Sequence, residues 1–160
     1  MAHVTMEINT TRDIARQILR HRSFSFQEFS QRYADPSTLG FVLREARLQD
    51  EKNRQNSIDT DDESLQMGWE YMQARVKMAA EDAYAYATQN NIAKEQARAV
   101  LPEGLTKSRM YMAGSVRSWL HYIDLRSGPE TQKEHREIAE ACGRELLTVF
   151  NLESTNVSPG

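Results

Sequence analysis

Residues 20–33, "RHRSFSFQEFSQRY", gather side chains suited to binding anions: Arg20, His21 and Arg22 side by side, then Glu28, Ser30 and Arg32. Two arginines that flank a histidine at a helix end can point in opposite directions, one toward a phosphate and one toward a second anion or an aromatic face. A guanidinium presents a planar fork of donors that matches phosphate and carboxylate. Glu28 can brace an arginine or accept hydrogen bonds from a sugar, and Ser30 and Arg32 are natural phosphate ligands. The same stretch also reads as a solvated basic helix end that complements its own macrodipole.

Two later segments carry similar chemistry. In "ARAVLP", Arg98 sits between Ala97 and Ala99, so its side chain can lie against a close-packed surface. In "SVRSWLHYIDLR", Arg117 and His121 lie four apart on one helical face with Ser118 and Asp124, and Arg126 ends the segment. Trp119, Tyr122 and Ile123 fall on the other side, so a polar stripe opposes an aromatic one. That pattern fits the wall of a cofactor groove, and it fits an amphipathic surface helix equally well. There is no Gly-rich phosphate loop, no GxSxG elbow and no His/Cys set at metal spacing. The single cysteine, Cys142, lies on the apolar face of the last helix and reads as an inert buried thiol. Any chemistry here therefore needs a borrowed cofactor.

The elements that position these residues follow from periodicity. "HVTMEI" alternates, placing Val4, Met6 and Ile8 on one face of a strand. "TTRDIARQILRHR" is a short helix that delivers residues 20–22 at its end. Residues 23–37 form an ordered loop closed by Asp-Pro, "FVLREARLQ" a second strand, and residues 50–64 a polar, mobile loop. A long helix begins near Ser64, with Leu65, Trp69, Met72, Val76, Ala79, Ala83 and Tyr86 recurring at spacings of three and four. "AKEQARAVLP" is a shorter helix, "TKSRMYMAGS" a strand, and "VRSWLHYIDLR" a helix. A last helix buries Ile138, Cys142, Leu146, Val149 and Phe150.

The chain has 160 residues, 39% hydrophobic and 27% charged, enough for one domain with a core. Its net charge of −3 argues against a broad nucleic-acid-binding face, while 15 of its 20 basic residues are Arg, which suits localised anion pockets. No apolar run is long enough for a membrane span, and one cysteine gives no disulfide framework, so the expected setting is cytoplasmic. The expected class is α/β (α+β): a helix-rich single domain over residues 1–150 with a small sheet, and a disordered tail over 151–160.

Taken in order, these segments resemble the flavin-dependent thymidylate synthases. The family signature is Arg-His-Arg, seven residues, then Ser; here "RHR" is followed by "SFSFQEF" and Ser30. "RQIL" just before it supplies Gln17, and the "ARAVLP" and "RSWLHYIDLR" blocks follow in the family's order. The resemblance runs from about His3 to the last helix, as a short form lacking the family's usual N-terminal segment. It implies reductive methylation of dUMP to dTMP, with methylene-tetrahydrofolate as carbon donor, NADPH as reductant and FAD as cofactor, and no enzyme nucleophile. Carried over by position, Gln17, Arg20, Glu28, Phe29, Ser30, Gln31, Arg32, Arg98 and Arg126 would bind dUMP, the backbone serving at Phe29 and Gln31. Arg20, His21, Arg22, Glu28, Ser115, Arg117 and His121 would hold FAD. Arg126 would be the catalytic group at the uracil. The resemblance further implies a homotetramer with shared sites, in a cell's cytoplasm or virus-encoded and acting in a host's. An alternative is a truncated or split copy that binds dUMP and FAD without independent turnover. A third reading is a helical interaction module whose arginines cap helices.

Overall fold

The computed structural model describes residues 2–29, 40–54 and 56–150. In chain order the elements are strand β1 (His3–Thr11), helix α1 (Arg12–Ile18), strands β2 (Ser25–Glu28), β3 (Arg47–Gln49) and β4 (Ser57–Asp59), helices α2 (Glu63–Gln89) and α3 (Lys94–Ala97), strand β5 (Lys107–Ser115), and helices α4 (Val116–Arg126) and α5 (Lys133–Val149). A 3₁₀ turn over Arg98–Val100 extends α3.

β5 is the centre of an antiparallel sheet in the order β1-β5-β2. Its alternation sets the layers: Ser108, Met110, Met112 and Gly114 are buried, while Lys107, Arg109 and Tyr111 are exposed. On the buried face Met110 and Met112 pack with Ile8, Ile14, Ile18, Trp119, Tyr122, Ala139, Cys142 and Leu146. Thus α1, α4 and α5 cover one face of the sheet, as its period of two requires. Trp119 spends its polar edge by donating from Nε1 to the Val4 carbonyl at 3.1 Å. On the exposed face Tyr111 Oη donates to Glu7 at 2.8 Å and Arg109 Nε to Asn9 at 3.2 Å, an ordinary solvated ladder.

Several expected elements differ. Residues 25–28, expected in a loop, form β2, because Phe26 faces the core beside Met112 and edge pairing with β5 satisfies the backbone. The expected second strand over residues 41–49 is regular only from Arg47. Before it, glutamine side chains stand in for a neighbouring strand. The Gln73 amide accepts from Arg44 N at 2.9 Å and donates to Arg44 O at 2.7 Å. Gln66 does the same for Ala46, at 2.7 and 2.9 Å. The polar segment after it contains β4 and a turn that Asp50 organises by accepting from Lys52 N, Asn53 N and Asn56 Nδ2. Its polarity reflects turn chemistry.

The apolar residues of α2 also fall otherwise than a core stripe would. Its buried residues are Gln73, Ala80, Tyr84 and Ala87, while Leu65, Trp69, Met72, Val76 and Tyr86 are exposed. On α5 the core takes His135, Ala139, Cys142 and Leu146; Ile138 is half-buried, and Val149 and Phe150 are exposed near the helix end. No helix among the described residues is long and apolar enough to cross a membrane. The expected tail, 151–160, lies outside the described residues.

Phe24 ties the arginine-rich segment to this core. Its ring meets Trp119 edge-on at 4.9 Å and Tyr122 at 5.9 Å, and it lies against Gly114. A Cβ at position 114 would stand 2.6 Å from Phe24 Cδ1. Gly114→Ala is therefore expected to displace the ring and destabilise the fold by about 1–3 kcal/mol in urea unfolding. An unchanged unfolding midpoint would contradict this packing.

Candidate active site

α1 ends at Ile18, and the turn after it presents Arg20, His21 and Arg22 just beyond the helix. α4 ends at Arg126, and the start of α5 brings Gln132 and His135 beside them. A cavity of about 540 Å³ opens where these elements meet, and Gln17, Arg20, Arg126, Thr131, Gln132 and His135 line it. Its volume lies in the range of small-ligand sites. Three of the expected dUMP residues, Gln17, Arg20 and Arg126, are thus brought together from separate parts of the sequence.

Three arginines, Arg16, Arg20 and Arg126, and three carboxylates, Asp13, Glu103 and Glu130, line the cavity, and what decides its character is which of them are already paired. Arg16 and Glu103 at its rim pair with each other, and Asp13 is held by Arg44 at 2.8 Å. The Arg20 side chain has no ion pair among the described residues. Arg126 donates from Nε to His21 Nε2 at 3.0 Å, and its terminal nitrogens have no partner among the described residues. A larger cavity, about 780 Å³, lies between β1, β5, α5 and residues 42–45. Most of its cations are already engaged: Arg44 with Asp13, Lys133 with Glu45 and Asp59, Arg109 with Glu7. In the smaller cavity Arg20 and Arg126 have no carboxylate partner among the described residues, which makes it the better candidate for an anion.

Two histidines here are held neutral. His21 is pushed below the usual histidine range by burial, then by Arg126 and His121, and its Nε2 accepts a hydrogen bond from Arg126 rather than carrying a proton of its own. Its ring stands edge-on to Tyr122 at 4.9 Å. His135, 1% exposed, is pushed down to about 4 by burial, then by Arg126 and His21. Its Nδ1 faces Gln17 Oε1 at 3.3 Å, and its Nε2 faces the Tyr122 hydroxyl at 3.1 Å. Gln17 Nε2 donates to Gln132 Oε1 at 2.8 Å, Gln132 Nε2 donates to Glu134 at 2.9 Å, and Glu134 pairs with Arg47. The Thr131 hydroxyl is buried without a partner among the described residues. Cys142 is a buried thiol raised to about 11 by burial, which leaves it unreactive at neutral pH.

The remaining expected residues that are described do not line the cavity. Glu28 accepts from Ser108 Oγ at 3.0 Å. The Phe29 amide is consumed by the sheet, donating to Arg109 O at 2.9 Å, so it has no N–H left to offer a ligand. Arg98 donates from Nε to Glu95 O in its own turn and does not line this cavity. Ser30, Gln31 and Arg32 lie outside the described residues. Ser115 caps α4, accepting from Ser118 N at 3.2 Å, while Arg117 and His121 are exposed one turn apart on the same helix. Arg22, Arg117 and His121 have no ion-pair partner among the described residues.

His135 and Gln132 escaped notice in the sequence, although a signal was present. His135 continues the stripe of Ala139, Cys142 and Leu146 at spacings of four, three and four. A histidine in line with core residues is a buried histidine, and burial requires partners for both its nitrogens.

The helices and the three-stranded sheet form an α+β domain, with a cavity between α1, α4 and α5. The family model of the thymidylate synthase complementing proteins matches residues 1–150. A flavin-dependent thymidylate synthase of Synechocystis sp. is 51% identical over 150 residues, covering 94% of this chain and 68% of its own length. A protein of Paramecium bursaria Chlorella virus 1, described as "Probable flavin-dependent thymidylate synthase", is 48% identical over 149 residues, covering 93% of this chain and 68% of its own. The crystal structure of the UMP/dUMP methylase PolB from Streptomyces cacaoi bound with 5-Br UMP superposes with a TM-score of 0.81 at 24% identity, covering 91% of this chain and 69% of that one, a likeness of fold. The chain belongs to the flavin-dependent thymidylate synthase family.

The buried neutral His135 links stability to pH. Its folded value lies near 4, whereas an unfolded chain protonates the ring near the ordinary 6.5. Between those values the unfolded state binds more protons, so stability is retained above about pH 6.5 and drains away as pH falls toward 4. The thermal midpoint is expected to drop across that window, and His135→Leu is expected to flatten the slope. Equal slopes in both proteins would contradict a neutral buried ring.

Proposed function

We propose that the chain catalyses reductive methylation of dUMP to dTMP with FAD, methylene-tetrahydrofolate and NADPH. The observation that carries this reading is the convergence of Gln17, Arg20 and Arg126 on one cavity in which the Arg20 and Arg126 guanidinium groups have no carboxylate partner among the described residues. Arg20 and Gln17 hold the phosphate and sugar end of the nucleotide. Arg126, fixed through Nε by a neutral His21, turns its terminal nitrogens to the uracil and stabilises negative charge as the ring is activated at C5. A neutral His21 serves this better than a charged one, which would repel the guanidinium. Arg22, Arg117 and His121, with Arg20, Glu28 and Ser115, hold FAD. The bound flavin supplies the hydride that turns the transferred one-carbon unit into a methyl group. The new carbon–carbon bond at C5 would replace the C5–H bond, whose proton goes to solvent, tetrahydrofolate would leave as its bond to the one-carbon unit breaks, and NADPH would return a hydride to the oxidised cofactor.

A homotetramer with shared sites completes the reading, in the cytoplasm. Two observations support it. Arg98 and Glu28 lie outside the cavity of their own chain, so another copy can bring them to it. The exposed stripe of Leu65, Trp69, Met72 and Val76 on α2 offers an apolar surface of the kind subunits cover. The chain's coverage of 68% of the two relatives' length keeps one alternative, a copy that binds dUMP and FAD but turns over only beside a fuller chain.

The test is tritium release from dUMP labelled at C5, with FAD, methylene-tetrahydrofolate and NADPH supplied to the purified chain. Release by the wild type and a loss of at least about a hundredfold in Arg126→Ala, with the visible flavin band retained, are expected. Flavin and dUMP binding without release would select the alternative. Binding of neither would overturn both.

A further inference from the structure

The chain of hydrogen bonds behind the cavity has a direction, and one end of it sets that direction. Glu134, paired with Arg47, is a carboxylate and can only accept. The Gln132 group that touches it must therefore be the NH₂, which leaves the Gln132 carbonyl facing Gln17. Gln17 must answer with its own NH₂, so its carbonyl faces His135 Nδ1. That nitrogen must then carry the ring proton, and Nε2 must accept from the Tyr122 hydroxyl. Turning Gln132 over would set its carbonyl against the carboxylate. Every other hydrogen in the chain is thus assigned without freedom, and the Gln17 amide is held in one orientation. Two donors are left over, the second N–H of Gln132 and the second N–H of Gln17, both on residues that line the cavity with Arg20 and Arg126, and Gln17 stands on the same helix-to-turn segment as Arg20.

We propose that His135 is a positioning residue for substrate capture, holding Gln17 so that its remaining amide N–H meets an oxygen acceptor on the phosphate of bound dUMP. The role rests on the dUMP reading above. His135 does not touch the nucleotide. It fixes which end of Gln17 faces the phosphate, since a flipped amide would set a carbonyl against an anion. Tyr122 acts one step further back by fixing the ring tautomer.

The test compares His135→Leu, His135→Asn and Tyr122→Phe with the wild type in dUMP titration and steady-state turnover. Asparagine can donate from a position close to Nδ1; leucine cannot. In His135→Leu the KM and dissociation constant for dUMP are expected to rise about tenfold with kcat within about twofold, as for an interaction made equally in ground and transition states. His135→Asn is expected to recover most of the affinity, and Tyr122→Phe to lie between the two. Tyr122→Phe and His135→Asn carry the test where the leucine variant does not fold. ¹⁵N NMR of the unliganded wild type is expected to report the Nδ1–H tautomer at His135. Unchanged dUMP affinity in folded His135→Leu, or His135→Asn as weak as leucine, overturns the positioning role while leaving the function standing. An Nε2–H tautomer overturns the directed chain whatever dUMP does. Failure of the wild type to bind dUMP overturns the functional reading, and the substrate role of His135 with it.

Discussion

A polar group taken out of water has to find a partner inside the protein, and the region between α1, α4 and α5 is organised by that requirement. An unpaired buried donor or acceptor costs about 1–3 kcal/mol, so the side chains between Tyr122 and Glu134 are committed to one another. The same condition fixes Arg126, whose Nε is taken by His21. It also fixes the segment before β3, whose backbone is paired by Gln66 and Gln73 of α2. Arg44 in that segment grips Asp13 and Thr11 at the start of α1. The long helix is therefore coupled through polar pairs to the helix that carries Gln17.

Apolar packing supplies the frame and polar pairing supplies the aim. Met110, Met112, Trp119 and Tyr122 are fully buried and hold α4 against the central strand. With both ends of α4 placed, Ser115 at one and Arg126 at the other, the arginines fall where the turn after α1 can meet them. Phe24, seated against Gly114 and Trp119, closes that turn onto the core. The outer faces contrast with this: the open side of the sheet is a solvated ladder, whereas α2 presents Trp69, Met72 and Val76 outward.

Strict periodicity made part of this legible in the sequence. β1, β5, α4 and α5 could be read because one face of each packs on the core, so hydrophobicity repeats at two or 3.6 residues. The chemistry of residues 20–22 alone left a solvated helix end open; the spacing Arg-His-Arg, seven residues, then Ser, shared with a family, is what pointed to a site. The inward face of α2 was not legible, because Gln66 and Gln73 on its first half pair with backbone far along the chain and only Ala80, Tyr84 and Ala87 on its second half are apolar and buried, while Leu65, Trp69, Met72 and Val76 look outward. β2 was hidden for a related reason: an edge strand with one buried side needs few apolar residues. His135 was hidden because its role depends on Gln17, Gln132 and Tyr122, and no local pattern announces a contact among three separate elements.

The most direct measurement is a crystal structure of the protein soaked or co-crystallised with dUMP. The expected result is the nucleotide in the cavity lined by Gln17, Arg20 and Arg126, its phosphate within hydrogen-bond reach of Gln17 and its base toward Arg126. Nucleotide seated instead in the larger cavity beside Arg44 and Arg109, with the Gln17 cavity holding only solvent, would contradict the assignment.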